Sequence, residues 1–157
     1  MKHFISLALL LALTTSIRTA HAGEQEVRKC EFNLKAGCRA GGASVTLADG
    51  IVTNLEVFVF WCGLPGRPGY TCSIESSRSN PEDSKWTDEA GATLITHPDP
   101  YYGPDAPDEV RVTVGRHVSI DMDRTQSPSR CGAGAELPRA IVIPGRGKTC
   151  RVWFSEP

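Results

Sequence analysis

Three polar residues, His117, Ser119 and Asp121, carry the side-chain types of a serine-hydrolase triad. They alternate with apolar residues from Val118 to Met122, which predicts a β-strand in which residues two apart share a face with Cα atoms about 6.6 Å apart. A working triad needs hydrogen bonds of about 3 Å, usually between groups from separate segments. The pattern therefore favours a polar, solvent-facing row, and the sequence contains neither G-x-S-x-G nor H-E-x-x-H.

Two charged segments are candidates for binding ions. The acids Asp99, Asp105, Asp108 and Glu109 could ligate calcium, but their spacing does not follow the EF-hand pattern. The basic turn Gly145-Arg146-Gly147-Lys148 could bind an anion, although a charged hairpin tip is the commoner explanation of such a turn. We expect neither a metal nor a cofactor.

The sequence has six cysteines, an even number that predicts three disulfides in an exported protein. A zinc site is the alternative, but no C-x-x-C pair occurs and only His97 and His117 follow the predicted leader. Pairing between neighbours along the chain is the simplest prediction: Cys30–Cys38, Cys62–Cys72 and Cys131–Cys150.

Residues 1–22 have the pattern of a secretory signal peptide. A basic start at Lys2 precedes an apolar run from Phe4 to Leu13 and a small-x-small end at Ala20-His21-Ala22. The apolar run is shorter than the roughly 20 residues needed to span a bilayer, and no later stretch is apolar enough. The sequence predicts an exported protein, periplasmic or secreted, with no membrane span.

The predicted mature chain, residues 23–157, has the length of one domain. Removal of residues 1–22 takes Lys+Arg from 17 to 15 against 18 Asp+Glu, so the formal charge moves from −1 to −3. Because no run of basic residues clusters with aromatics along the sequence, nucleic acid is not an expected partner.

Short segments rich in Val, Ile, Thr and aromatic residues, separated by Gly, Pro, Asp or Ser, indicate an all-β domain. We expect a small antiparallel β-sandwich or barrel of about eight strands, stabilised by disulfides. The predicted strands are Ala43–Leu47, Val52–Cys62, Thr71–Ser76, Ala92–Thr96, Val110–Val114, Val118–Met122, Ala140–Ile143 and Cys150–Phe154.

The alternation of apolar residues predicts the hairpin around residue 116. A two-residue turn would set the apolar face of one strand against the polar face of the next, which a half-buried sheet does not tolerate. A three-residue loop, residues 115–117, places Val114 opposite Val118 and Val112 opposite Ile120. One long bent strand from Val110 to Met122 is the alternative.

The same reasoning applies to the segment WCGLPGRPGYTC, residues 61–72. If Cys62 bonds to Cys72 across a hairpin, Phe58, Phe60 and Ile74 share the cysteine side and are predicted to be core. The other side then carries an apolar stripe of Val57, Val59 and Trp61. Another strand or loop would cover that stripe, or Trp61 would anchor a recognition surface.

Two proline-stiffened loops supply the candidate binding residues. The loop after Cys62 offers Leu64 and Arg67, and the segment 97–109, predicted to be an irregular crossover, offers Tyr101 and Tyr102. Rigid loops lose little entropy on binding. For the loop after Cys62 taken alone, the leading interpretation is a structural connection between two strands.

The sequence predicts a binding protein without enzymatic activity. Its partner would be another exported protein or a glycan, bound by Trp61, Leu64, Arg67, Tyr101 and Tyr102, with inhibition as one form of that binding. A structural envelope or extracellular module is the alternative, and a hydrolase is the third class.

Overall fold

The computed structural model describes residues 24–35, 38–62, 69–99, 103–125, 131 and 135–155. These residues form an all-β structure without helices, as predicted, and none of them belongs to a helix that would be long and apolar enough to cross a membrane. The predicted signal peptide lies outside the described residues. The strands are β1 Gln25–Leu34, β2 Arg39–Ala48, β3 Ile51–Trp61, β4 Tyr70–Ser77, β5 Lys85–Glu89, β6 Ala92–Asp99, β7 Gly103–Val114, β8 Val118–Arg124, β9 Ala140–Ile143 and β10 Arg151–Trp153.

The strands form two antiparallel sheets that pack as a small β-sandwich. The first sheet has the order β1-β2-β3-β4, and the second has the order β10-β9-β8-β7-β6-β5. Their inner faces are dominated by Val, Ile and Leu in alternate positions, as the period-2 geometry of a strand requires. The fully buried side chains include Val45, Leu55, Ile95, Ile120 and Ile141. Each such side chain contributes roughly 1.5–3 kcal/mol on burial.

The structure adds two strands, β1 and β5, to the predicted eight and lengthens five others, most of all β2 and β7. Strand β1 was missed because Cys30 and Phe32 are its only buried residues, and β5 because it has none. The segment 97–109, predicted to be an irregular crossover, instead lies largely in β6 and β7. These strands pair from Ala92↔Thr113 to His97↔Asp108, with an irregularity before Asp99↔Gly103.

The predicted three-residue hairpin loop between β7 and β8 is confirmed. Val114 pairs with Val118 and Val112 with Ile120, so the buried faces of the two strands coincide. The amide of Gly115 donates to the carbonyl of His117 at 3.1 Å and closes the loop. The parity of the apolar residues, together with the frequency of three-residue hairpin loops, was enough to predict this register.

The prediction for the two faces of β3 was wrong. Val57 and Val59 are fully buried, whereas Phe58 and Phe60 are exposed on the outer face. The observed register places Val59 opposite Cys72, three residues away from the arrangement that a Cys62–Cys72 bond would impose. A shift by an odd number of residues moves every side chain to the opposite face.

The predicted neighbour pairing of the cysteines was also wrong, although all six form disulfides. The bonds are Cys30–Cys150, Cys38–Cys62 and Cys72–Cys131. Cys30 lies inside β1, four residues before its end at Leu34, and therefore about 13 Å from the turn that contains Cys38. Cys72 faces the core, so it bonds to a cysteine outside its own sheet rather than along its hairpin.

Candidate functional site

Of the predicted binding residues, Trp61 lies within the described part of the chain, and its ring is half-buried by internal contacts. Its Nε1 donates to the carbonyl of Glu136 at 3.1 Å, and the Arg39 guanidinium lies 4.1 Å from its ring centroid. Phe154 packs against it edge-on at 6.0 Å. Trp61 therefore helps to close one end of the sandwich. The remaining predicted binding residues lie outside the described residues: Leu64, Arg67, Tyr101 and Tyr102.

The polar row on β8 has the predicted orientation. His117 and Asp121 are exposed and Ser119 is half-buried, while Val118 and Ile120 between them are fully buried. Ser119 pairs with Thr113 and Asp121 with Arg111, so the row continues onto the outer face of β7. Within this row the geometry is that of a solvated sheet surface.

A different serine and histidine meet inside the protein. Ser76 Oγ of β4 lies 2.6 Å from His97 Nε2 of β6, and Asp108 is the cross-strand partner of His97. Ser76, His97 and Asp108 are 7%, 2% and 0% exposed, so no substrate can reach them in this structure. The contact links the two sheets. The alternation of residues along the strands could have predicted this contact. Ser76 shares the inner face of β4 with Cys72 and Ile74, and His97 shares the inner face of β6 with Ile95.

The acids proposed for calcium do not gather into a described site. Asp108 is buried, and Glu109 forms an ion pair at the surface, with its Oε2 2.9 Å from Nη1 of Arg124. The side chains of Asp99 and Asp105 lie outside the described set. No group of three or more metal-ligating side chains occurs among the described residues.

A groove of about 840 Å³, here called the basic groove, lies beside β1. Its cationic walls are β1 from Glu26 to Glu31, the β7–β8 loop at Arg116, and the segment from Ile143 at the end of β9 to Lys148. Residues of β2 and β3 also line it: Ala43, Ser44, Glu56 and Phe58. The cationic side chains around it are Arg28, Lys29, Arg116, Arg146 and Lys148. Three separate segments of the chain therefore bring positive charge to one place.

Backbone hydrogen bonds fix β1 against the segment that leads into β10. The amide of Glu31 donates to the carbonyl of Lys148 at 2.7 Å, and the amide of Cys150 donates to the carbonyl of Glu31 at 2.9 Å. The Cys30–Cys150 disulfide lies beside these bonds. This wall of the groove is therefore held covalently as well as by hydrogen bonds.

The two loops of the groove touch each other at Gly145. A methyl group at this position would overlap the backbone carbonyl of Arg116, so a residue without Cβ is needed for the close approach. Arg28 Nη1 of β1 donates to the carbonyl of Gly115 at 2.7 Å, which ties the same loop to β1. The three walls are thus connected directly and preorganised.

The charges in the basic groove are poorly neutralised. Arg28 is paired with Glu26 at 2.7 Å, and this hydrogen bond lowers the pKa of the Glu26 carboxyl. Four cations form no ion pair with any described residue: Lys29, Arg116, Arg146 and Lys148. Five arginines elsewhere each face an acid: Arg39, Arg78, Arg111, Arg124 and Arg139. Together with Glu26, Glu31 and Glu56, the lining has five positive and three negative groups, on a chain whose net charge is −1.

Sequence reasoning found one part of this site and missed the rest. The basic turn from Gly145 to Lys148 was singled out as a possible anion site, but β1 was not predicted. Lys29 and Arg116 are far from the turn in sequence and join it through the Glu31–Lys148 backbone contact and the close approach at Gly145. The signal was therefore spread over three segments that pair only in the folded chain.

Comparison with protein-family models, with curated proteins and with solved structures gave no match. The fold defines the class of this protein as a small disulfide-stabilised β-sandwich. Three disulfides are typical of proteins that fold in an oxidising, extracellular environment. Its candidate site rests on the geometry of the basic groove.

Proposed function

We propose that this protein is an exported binding domain that holds an anionic macromolecule in the basic groove. The observation that carries the proposal is the set of four cations on connected walls that form no ion pair with any residue in the described part of the chain. Unpaired positive charge on a protein with a negative net charge has no evident structural role. Complementary charge attracts an anionic partner and orients it at the groove.

Rigidity supports binding over a passive surface. The groove walls are joined by the Cys30–Cys150 bond, by backbone hydrogen bonds and by the Arg28–Gly115 contact. A preformed site spends little free energy on ordering its own loops when a ligand arrives. The two alternative classes, a structural module and a hydrolase, predict different outcomes of the experiment below.

The test is retention of the oxidised protein on an immobilised polyanion, with heparin as the probe. We expect retention at low salt and release as the salt concentration rises, because the Debye length falls from about 10 Å at 0.1 M to about 3 Å at 1 M. The double variant Arg146→Ala/Lys148→Ala should bind about tenfold more weakly, which corresponds to about 1.4 kcal/mol.

The matched control is Lys85→Ala/Arg151→Ala. It removes one lysine and one arginine that are also exposed and form no ion pair with a described residue, but that do not line the groove. Equal weakening in both double variants would show that net charge, and not the groove, determines retention. Failure of the wild-type protein to bind any polyanion would favour the structural module, and turnover of a bound polymer would favour the hydrolase.

The loops named from the sequence remain a separate prediction of contact surface. Because Trp61 packs against Arg39 and Phe154, we expect Trp61→Ala to lower stability as well as any affinity. Tyr101→Ala and Tyr102→Ala are therefore the sharper tests, and each should weaken binding of a macromolecular partner without changing the melting temperature.

A further inference from the structure

Two aromatic rings stand exposed beside the basic groove, on the outer face of β3. Phe58 is 42% exposed and Phe60 is 45% exposed. Phe58 has Gly42 and Ser73 as its cross-strand neighbours, so no bulky side chain shields it on either adjacent strand. The neighbours of Phe60 are similarly small, Ala40 and Thr71. The two rings thus stand on a part of the outer face where the directly opposed side chains are small.

Each ring lies down on a glycine. A methyl group built on Gly42 would lie 3.0 Å and 3.2 Å from atoms of the Phe58 ring, and one on Gly69 would lie 2.8 Å and 2.9 Å from the Phe60 ring. Aromatic side chains often cover the backbone at strand glycines in this way. Part of each ring is therefore close to the backbone at a glycine, while the side chains of Phe58 and Phe60 remain 42% and 45% exposed to solvent.

Phe58 joins this aromatic surface to the basic groove, because it also lines the groove together with Lys29, Glu56 and Lys148. A ligand in the groove can therefore contact an open aromatic face, cations and carboxylates at once. This combination is more specific than positive charge alone.

The mixed lining distinguishes between classes of polyanion. A nucleic acid carries a charge at every phosphate, and it would be repelled by Glu31 and Glu56 within the groove. An acidic peptide brings carboxylates, but its ionised side chains donate no hydrogen bond, so only one backbone N–H per residue could serve those two glutamates. A sugar ring has hydroxyl donors for carboxylates and an apolar C–H face that can stack on an aromatic ring. An acidic sugar adds a carboxylate or sulfate for the lysines and arginines.

We propose that the ligand of the basic groove is an acidic polysaccharide, with one sugar ring stacked on Phe58 and neighbouring carboxylate or sulfate groups on Lys29, Arg146 and Lys148. This inference rests on the proposed function, since it names the chemical class of the anionic macromolecule. Under this inference Phe58 binds the ligand in addition to covering Gly42.

The experiment compares four soluble polymers by titration at one ionic strength: polygalacturonate, poly-L-glutamate, single-stranded DNA and neutral dextran. We expect polygalacturonate to bind most tightly and dextran least. Phe58→Leu should weaken polygalacturonate binding roughly fivefold to tenfold, the usual size of an aromatic contact, and should leave poly-L-glutamate binding unchanged. Phe58→Tyr, which keeps the ring, should restore the polygalacturonate affinity.

The outcomes separate this inference from the proposed function. If no polyanion binds, the proposed function fails and the inference fails with it. If poly-L-glutamate binds as tightly as polygalacturonate and Phe58→Leu affects neither, the groove stands as an anion site and the polysaccharide inference is overturned. Tighter binding of DNA, or equal binding of dextran, also overturns it.

A second measurement guards against unfolding of Phe58→Leu. Phe58→Trp places an indole at the stacking position, and polygalacturonate should shift its emission relative to the wild-type protein, whereas poly-L-glutamate should not. A Phe58→Trp protein that binds polygalacturonate with no such change in emission would place the sugar away from this ring and overturn the stacking contact.

Discussion

The two edges of the sandwich are closed by different means. At the β1 edge, backbone hydrogen bonds from Glu31 and the Cys30–Cys150 bond join the sheets. At the β4 edge, side chains join them: Ser76 meets His97, and Arg78 forms an ion pair with Asp88 of β5. The β1 edge is closed mainly by main chain and sulfur, with one side-chain contact from Arg28 to Gly115, and the β4 edge by polar side chains.

This difference decides which side chains are available to a ligand. At the β4 edge the polar side chains are engaged in contacts within the protein. Arg78, for example, also lies 4.9 Å from the ring centroid of Trp86 and donates to the carbonyl of Val52. At the β1 edge the main chain makes most of the connection, so Lys29 and Lys148 line the basic groove and form no ion pair with a described residue. A closure made by the backbone thus leaves these side chains out of the contacts between the sheets.

The largest expected effect comes from cutting the closure at the β1 edge. The Cys30–Cys150 bond spans 120 residues and the Cys38–Cys62 bond spans 24. In the chain-entropy model these closures contribute about 5 and about 3.5 kcal/mol respectively. We therefore expect Cys30→Ser/Cys150→Ser to lower the free energy of unfolding more than Cys38→Ser/Cys62→Ser, as measured by urea denaturation. The reverse order would mean that the groove wall is held mainly by its hydrogen bonds.

At the β4 edge, Ser76→Ala should cost about 1–3 kcal/mol, because it removes the hydroxyl that His97 contacts in a buried site. Ser73→Ala is the control on the same strand, since Ser73 is exposed and the change should stay within about 0.5 kcal/mol. Heparin affinity should not change in either variant. A loss of heparin affinity in Ser76→Ala would show that the β4 edge influences the basic groove at the β1 edge, so that the two edges are not independent.

A substitution at the contact between the groove loops should affect both stability and binding. Gly145→Ala places a methyl group against the backbone carbonyl of Arg116, and pushing the loops apart should cost about 1–3 kcal/mol. Gly115→Ala is the control, because its nearest contact would be at an ordinary 3.8 Å. Heparin retention should fall for Gly145→Ala alone. If Gly145→Ala binds normally, the close approach of the loops is not needed for the site.

The smallest expected effect is the pH dependence of the Arg78–Asp88 pair. The hydrogen bond from Arg78 lowers the pKa of the Asp88 carboxyl. A lowered pKa in the folded state stabilises the protein above the unfolded value of about 3.9, and this stability is lost as the pH falls through the folded value. The pair is exposed, so the contribution should be a few tenths of a kcal/mol. Asp88→Asn should therefore be slightly less stable than wild type at pH 6, and the difference should vanish near pH 2 in parallel denaturation curves.

The sequence was most informative where local parity determined the structure. The three-residue loop between β7 and β8 followed from matching Val112 with Ile120, because a loop with an even number of residues would place the two side chains on opposite faces. The all-β class followed from the same alternation repeated along the chain. These predictions needed only the geometry of one strand and its neighbour.

Predictions that required distant partners did not follow from the sequence. The faces of β3 were assigned from an assumed Cys62–Cys72 bond, whereas Cys62 bonds to Cys38. The covering of Gly42 by Phe58 depends on the pairing of β2 with β3. The basic groove depends on β1, whose polar outer face resembles a loop in sequence. Each of these features is a contact between segments that local patterns do not relate.

The Cys30–Cys150 bond also constrains the order in which the chain can mature. Synthesis delivers Cys30 120 residues before its partner, while Cys38 is only eight residues behind it. In an oxidising compartment the earliest bond available to Cys30 is therefore a wrong one, and the neighbour pairing expected from the sequence describes this early error. Cys150 must therefore reach Cys30 before a Cys30–Cys38 bond forms, or that bond must be exchanged for the Cys30–Cys150 bond. We expect a thiol–disulfide isomerase to speed maturation of this protein far more than that of a variant that lacks Cys38 and Cys62.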